Sequence, residues 1–136
     1  MADITVGLKW TGQGLEFDGA TPTATNIRLD GNKATGASPM EALLHALAGC
    51  MAADIVGIAE KQRVTMTGLE IEVAGDRAAE FPRRYTRIAM TITARGAGPA
   101  DEAKLQRAVD LSRDTYCSVL HSLRQDIEMD FGLVLG

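Results

Sequence analysis

The alternation of apolar and polar residues near the N-terminus predicts a three-stranded meander. Residues 6–10 (VGLKW) and 15–17 (LEF) alternate in the manner of half-buried strands, and 11–14 (TGQG) and 18–20 (DGA) have the composition of turns. A third strand is expected near 25–30 (TNIRLD), closed by the turn sequence DGN.

The next segment predicts a long helix from about Pro39 to about Lys61. Ser38 is the expected N-cap, Pro39 takes the first helical position, and Glu41 completes a capping box. Apolar positions occur around most of the helix circumference, which indicates burial on nearly all sides. The rest of a 136-residue chain is too small to pack around such a helix on all sides, so we expect an obligate homodimer that buries it.

The second half of the chain predicts two strands, a broken helix and a last strand. The strands are 68–76 and 85–96, and the helix begins at Pro99 or Ala100 with a break near 112–116. Residues 127–136 can form the last strand. The predicted fold class is α+β, a single domain over 1–136 with an antiparallel sheet packed on a long buried central helix.

Composition and charge exclude several functional classes. The net charge is −4 and no run of basic residues exceeds the pair Arg83 and Arg84, so neither nucleic acid nor an anionic membrane surface is an expected partner. The N-terminus has no signal-like pattern, and the most apolar segment, 42–59, is shorter than a bilayer span. We therefore expect a cytoplasmic protein.

The two cysteines, Cys50 and Cys117, are the candidate chemistry. Free cysteines are most often buried as small apolar side chains, and that interpretation stays open for both. Two cysteines do not complete a zinc site without both histidines, so no metal and no cofactor are predicted. If Cys117 opens a helix after the predicted break, the helix N-terminus would favour its thiolate form.

The motifs around these cysteines resemble those of the OsmC/Ohr superfamily, and within it the YhfA-type branch. The helix SPMEALLHALAGCMAADIV and the later segment AVDLSRDTYCSVLHSL carry the resemblance, which extends from LKWTGQGLEFDG through FPRRYT over nearly the whole chain. It implies an intertwined α+β homodimer with active sites at the subunit interface.

The resemblance also implies a thiol-dependent peroxidase. Cys50 would attack an organic hydroperoxide as a thiolate and form a sulfenic acid, and Cys117 would condense with it to a disulfide that a dithiol reduces. The apolar surroundings of Cys50 suit an organic hydroperoxide or another apolar small molecule.

One position departs from the family pattern. The peroxidases of this superfamily begin the helix with Asn-Pro-Glu, and the glutamate orients an activating arginine; here Met40 follows Pro39, and Glu41 is displaced by about 100° of helix rotation. Glu41 is therefore either a capping residue or a supporting site residue. Arg83 is the predicted site cation, against a solvated surface arginine.

Four further side chains are candidates with structural alternatives. His45 is expected to be buried or at an interface. His121 either pairs with Cys117 on a shared helix face or lies at a solvent edge, and Tyr116 either donates a hydrogen bond at the site or packs in the core. Asp54 shares a helix face with Cys50 and could either raise the pKa of its thiol or anchor a cation that lowers it. The rival function is a non-enzymatic dimer that binds an apolar small molecule or serves as a redox-responsive module.

Overall fold

The structure is a computed structural model that describes residues 2–23 and 27–136. The predicted α+β class is confirmed, with helices and two three-stranded sheets. Contacts divide the chain into two compact units, Met1–Leu43 and Leu44–Gly136. The prediction of one domain over 1–136 stays a prediction.

The first unit contains the predicted meander. Strands β1 (Gly7–Trp10), β2 (Glu16–Ala20) and β3 (Ile27–Asp30) pair antiparallel in chain order. The first two residues of the predicted third strand, 25 and 26, lie outside the described residues. The prediction of a turn at 18–20 is wrong, because these residues continue β2 and pair with β1. Gly19 permits this, since a Cβ there would lie 2.7 Å from the Ile27 side chain.

The turn after β3 is built around the carboxylate of Asp30. This buried side chain accepts hydrogen bonds from the backbone N–H groups of Asn32, Ala34 and Thr35 at 2.8 to 3.2 Å. These bonds, the one from Asn32 foremost, hold the pKa of Asp30 below its ordinary value. The predicted turn at 30–32 is confirmed.

Helix α1 (Pro39–Lys61) has the predicted bounds, and hydrogen bonds at both ends explain them. At the start, the backbone N–H of Ser38 donates to Glu41 Oε1 at 2.9 Å and the N–H of Glu41 donates to Ser38 Oγ at 3.1 Å, which is a capping box. At the end, Val64 N–H donates to the Ala59 carbonyl and Arg63 N–H to the Glu60 carbonyl. This is a Schellman pattern, with Arg63 in the left-handed conformation at φ 58°.

Burial of α1 in the single chain follows one stripe. Its fully buried side chains are Leu47, Met51, Ile55 and Ala59, each at most 2% exposed. Burial on nearly all sides is therefore not observed in one chain, since the opposite side presents Ala46, Gly49, Ala53 and Val56 to solvent. By length and composition alone α1 could cross a bilayer, a property shared with core helices of soluble proteins.

The second unit contains a mixed sheet. Strands β4 (Gly68–Arg77) and β5 (Tyr85–Arg95) are antiparallel, whereas β6 (Glu128–Leu135) runs parallel to β5. The prediction of an entirely antiparallel sheet is wrong at this strand. The helical connection between β5 and β6 returns the chain to the end at which β5 begins, and such crossovers give parallel pairing.

The crossover between β5 and β6 is the predicted broken helix. It consists of a 3-10 turn (Pro99–Asp101), α2 (Glu102–Leu111), a turn of π-helix (Ser112–Tyr116) and α3 (Ser118–Ser122). The break falls at the predicted residues. α2 and α1 contribute Leu105 and Ala59 to one apolar cluster with Ala94 of β5, which packs the crossover onto the sheet.

Candidate thiol site

Cys50 lies midway along α1 and is half-buried. The next residue, Met51, belongs to the buried stripe, so the cysteine stands at the edge of that stripe. Four residues later, one helical turn along, Asp54 lies on the same face and is also half-buried. The sulfur and the carboxylate therefore project from α1 as neighbours.

Cys117 lies at the start of α3, where the π-helical turn ends. Its backbone is extended (φ −72°, ψ 100°), and its N–H donates to the Ser112 carbonyl at 2.8 Å. Its sulfur accepts a hydrogen bond from the Leu120 N–H at 3.4 Å, so the thiol itself caps α3. The residue is 0% exposed. Turns of π-helix interrupt regular helices and often occur at functional sites.

The fold brings the two cysteines together. The sulfur atoms of Cys50 and Cys117 and a carboxylate oxygen of Asp54 all lie within 4.8 Å of one another. Neither cysteine is in a disulfide, and both are thiols. The two thiols therefore share one site within the second unit of a single chain.

A hydrogen bond between α1 and the π-helical turn fixes the carboxylate of this cluster. The hydroxyl of Ser112, which is 0% exposed, donates to Asp54 Oδ2 at 2.8 Å. The carbonyl of the same serine accepts from the Cys117 N–H. Ser112 therefore holds both the acid and the second cysteine.

The environment of Cys117 favours the protonated thiol. Burial is the largest cause, and the neighbouring Cys50 and Asp54 add to it; together they outweigh the hydrogen bond from Leu120 and raise the pKa of Cys117 to about 11. The expectation that the helix start would make this sulfur a thiolate is therefore wrong. A five-residue helix supplies one N–H bond, which is too little to offset desolvation.

The two predicted supporting residues lie in well-defined local contacts. Glu41 forms the capping box with Ser38, which confirms its capping role. Arg83 is exposed in the loop between β4 and β5, where its Nε donates to the Ala78 carbonyl at 3.4 Å. A site role for either residue stays a prediction.

The other candidates are exposed in the single chain. His45 is not buried as expected in one alternative, and its interface alternative stays a prediction. His121 is at the solvent edge, as expected, and its Nε2 donates to the Arg113 carbonyl at 3.0 Å. The prediction that Tyr116 lies in the core is wrong, since it is 56% exposed.

A cleft with a cavity volume of about 490 Å³ reaches the thiol site at Asp54. Its walls come from α1, the end of α2 and the π-helical turn, and most of them are apolar. The lining residues are Ala53, Asp54, Gly57, Ile58, Lys61, Gln62, Leu111 and Tyr116. The volume lies within the range of small-molecule sites.

The three clustered side chains are also of the types that bind zinc. The two sulfurs and one carboxylate are one ligand short of the four protein ligands of a structural zinc site. The prediction of no metal stays a prediction.

Sequence reasoning missed Ser112. The residue follows Leu105, Ala108 and Val109 at helical spacing, all of them buried on one face of α2. A serine at the next position of a buried stripe needs a hydrogen-bond partner, and that polar residue in an apolar pattern was the available signal.

The fold and the site are together those of an α+β protein with two thiols and a carboxylate gathered between a long helix and a broken one. A family profile described as OsmC-like protein matches residues 30–131. The chain belongs to the OsmC-like family.

Particular relatives agree with this assignment. The chain is 37% identical to Protein YhfA of Escherichia coli K12 over 123 residues, 90% of each chain. The crystal structure of a hypothetical protein from Aquifex aeolicus superimposes with a TM-score of 0.88 at 26% identity, covering 100% of this chain and 98% of that one. The Organic Hydroperoxide Resistance Protein OhrB of Bacillus subtilis shares the fold at 16% identity, with a TM-score of 0.60 and coverage of 99% and 98%.

Proposed function

We propose that this protein is a thiol-dependent peroxidase that reduces organic hydroperoxides. The observation that carries the proposal is the placement of two cysteine sulfurs, distant in sequence, within 4.8 Å of each other. A sulfenic acid formed on one sulfur is trapped as a disulfide only when a second thiol stands this close. The fold shared with a protein named for organic hydroperoxide resistance is consistent with the proposal.

The difference in exposure between the cysteines supports the roles proposed for them. Cys50 is half-buried and reachable from solvent, so it is the attacking sulfur; Cys117 is fully buried, so it is the resolving sulfur. Attack of the Cys50 thiolate on the peroxide breaks the O–O bond, leaves a sulfenic acid on Cys50 and releases the alcohol. Cys117 then forms the disulfide and water leaves, after which a dithiol restores both thiols.

The cleft beside Asp54 is the proposed route for the substrate. Its walls at Ile58, Leu111 and Tyr116 favour the organic portion of a hydroperoxide over a fully hydrated molecule. We expect cumene hydroperoxide and t-butyl hydroperoxide to react faster than hydrogen peroxide.

A homodimer is part of the proposal. Trp10 and Leu8 of the first sheet and Val56 of α1 are 47 to 58% exposed in the single chain, an amount of apolar surface that a second copy would cover. The dimer would also bury the exposed side of α1. The protein is proposed to act in the cytoplasm, where dithiol reductants are available.

The test is peroxide consumption by the purified protein with dithiothreitol. The wild type should consume cumene hydroperoxide, and Cys50→Ser should consume none above the buffer rate. Cys117→Ser is the matched control: it keeps the attacking sulfur, so in a parallel reaction without dithiothreitol it should react once with peroxide and then accumulate oxidised Cys50. Equal consumption by wild type and Cys50→Ser would remove the proposal.

A second function is favoured by the cleft itself. A cavity of about 490 Å³ with mostly apolar walls would serve a protein that binds an apolar small molecule without reaction, or responds to redox state. Mass spectrometry after mild peroxide separates the peroxidase from a protein that binds without reaction. Loss of two hydrogen atoms per chain supports the peroxidase, and two unmodified thiols support the binding protein.

A further inference from the structure

Asp54 is the one carboxylate in the thiol cluster among the described residues, and the peroxidase cycle proposed for Cys50 and Cys117 gives it no role. Hydrogen bonds through Ser112 fix the position of the Asp54 side chain. Ser112 Oγ donates to Asp54 Oδ2 at 2.8 Å, and the Ser112 carbonyl accepts from the Cys117 N–H at 2.8 Å. One buried serine thus sets the distance between the carboxylate on α1 and the cysteine beyond the π-helical turn.

The resolving step needs a base at this place. The thiol of Cys117 must lose its proton to attack Cys50, and burial keeps the pKa of that thiol at about 11, so little thiolate exists near neutral pH. The departing hydroxide must at the same time gain a proton, because hydroxide is a poor leaving group in a buried site.

We propose that Asp54 relays a proton in the resolving step. The carboxylate accepts the Cys117 thiol proton, directly or through one water, as that sulfur attacks the sulfur of the Cys50 sulfenic acid. The S–S bond forms, the S–O bond breaks, and Asp54 returns the proton to the departing hydroxide as water. The sulfenic sulfur is reduced and the Cys117 sulfur is oxidised, with no net uptake or release of protons. This role rests on the proposed peroxidase function.

Distances and charges around Cys117 support the assignment. A carboxylate oxygen within 4.8 Å of both sulfurs is within reach through a single water. The ionisable groups that act on Cys117 among the described residues are Cys50 and Asp54, both from α1. On the flanking segment, Arg113 pairs with Asp114 at 2.8 Å, and His121 donates to the Arg113 carbonyl.

The test follows a single turnover without reductant. The reduced protein is mixed with one equivalent of t-butyl hydroperoxide and quenched in acid at timed intervals. The mass of the intact chain is then measured by mass spectrometry. The sulfenic acid gains one oxygen atom and the disulfide loses two hydrogen atoms, so the two steps are timed separately. Asp54→Asn should form the sulfenic acid and then accumulate it, with disulfide formation at least about tenfold slower near pH 7.

The pH profile separates a proton relay from a structural role. Without the relay, the resolving rate of Asp54→Asn should follow the Cys117 thiolate and rise about tenfold per pH unit between pH 7 and 9.5, whereas the wild type should change little. The Asp54→Asn variant is expected to fold normally because the amide oxygen that it introduces can accept the Ser112 hydroxyl. Ser112→Ala keeps the carboxylate but removes its anchor, so a smaller loss of the resolving rate is expected. Glu60→Gln, which changes an exposed carboxylate on the same helix, is the matched control and should match the wild type.

Three results would overturn the relay in distinguishable ways. Disulfide formation by Asp54→Asn at the wild-type rate would leave the peroxidase intact and remove the role of Asp54. A slow resolving step that alkali does not restore would replace the relay by a positioning role. A wild type that forms neither sulfenic acid nor disulfide would remove the peroxidase function, and the relay with it.

Discussion

Burial should slow the reaction of Cys117 with an alkylating reagent in the folded protein, and the raised pKa of its thiol gives the size of the effect. A thiol with the ordinary pKa of 9.0 is about 9% ionised at pH 8, whereas one with a pKa of about 11 is about 0.1% ionised, a difference of about a hundredfold. The thiolate of higher pKa is intrinsically more nucleophilic, which offsets roughly sixfold to tenfold of this. The net effect is at least about a tenfold slower reaction for folded than for unfolded Cys117, and complete burial slows it further.

The assay compares folded and unfolded protein at pH 8. Reduced protein is treated briefly with iodoacetamide, quenched, and digested with trypsin; cleavage after Lys33 and Lys61 releases the Cys50 peptide, and cleavage after Arg113 and Arg124 releases the Cys117 peptide. In guanidinium chloride the two peptides should label at similar rates. In the folded protein, labelling of Cys117 should be at least about tenfold slower than in the unfolded chain, and the deficit should shrink as the pH approaches 11.

Equal labelling of Cys117 in folded and unfolded protein would refute the reasoning. It would mean that the sulfur is accessible and ionises normally, so burial would not control its proton. The base required in the resolving step would then be unnecessary as well. A slow reaction that did not respond to pH would instead point to steric exclusion alone.

Two further predictions concern the capping box and the dimer. Glu41→Ala should lower the free energy of unfolding by about 0.5–2 kcal/mol in urea titrations, and Glu41→Gln by less, because glutamine can still accept from the Ser38 N–H; equal losses would show that the charge, not the cap, matters. The wild type should sediment at twice the chain mass of 14.5 kDa, and Val56→Arg on the exposed side of α1 should shift it toward the monomer. Gln106→Arg, on the exposed side of α2, is the control, and a dimer unaffected by Val56→Arg would place the interface elsewhere.

The helix boundaries were predictable because they depend on local chemistry. The capping box at Ser38 and Glu41 satisfies backbone donors within four residues, so sequence spacing alone determines it. The break at 112–116 was likewise visible as a gap in the apolar pattern. The alternation of apolar and polar residues along β5 follows its buried face, with Ile88, Met90 and Ile92 in the core.

Features that depend on tertiary contacts were not predictable from local patterns. The direction of β6 is set by the crossover, and its alternating pattern is the same for parallel and antiparallel pairing. The turn expected at 18–20 is a strand because Gly19 packs closely beneath Ile27, a neighbour from another strand. Burial around α1 was overestimated for one chain, since apolar composition does not distinguish a core from an interface.

The thiol site was predictable from the sequence only in part. The resemblance, and not periodicity or spacing, indicated that Cys50 and Cys117 meet. The sequence predicted a lowered pKa for Cys117, and the structure raises it. The helix N-terminus was visible in the sequence, whereas the complete burial of the thiol was not. Desolvation acts on the whole thiol, whereas a short helix offers it one N–H.

A protonated resolving thiol changes how the proposed cycle is ordered. Peroxide reacts with thiolates, so a buried Cys117 with a pKa of about 11 is protected from direct oxidation while the half-buried Cys50 reacts first. In the proposed relay Cys117 becomes a nucleophile when a base takes its proton, and the carboxylate beside it among the described residues is that of Asp54, held by Ser112. The same carboxylate helps to keep the Cys117 thiol protonated in the resting protein. It would accept that proton once the Cys50 sulfenic acid has formed and its sulfur can be attacked by Cys117. Deprotonation of Cys117 and disulfide formation would then occur together, which limits direct oxidation of the Cys117 sulfur by peroxide.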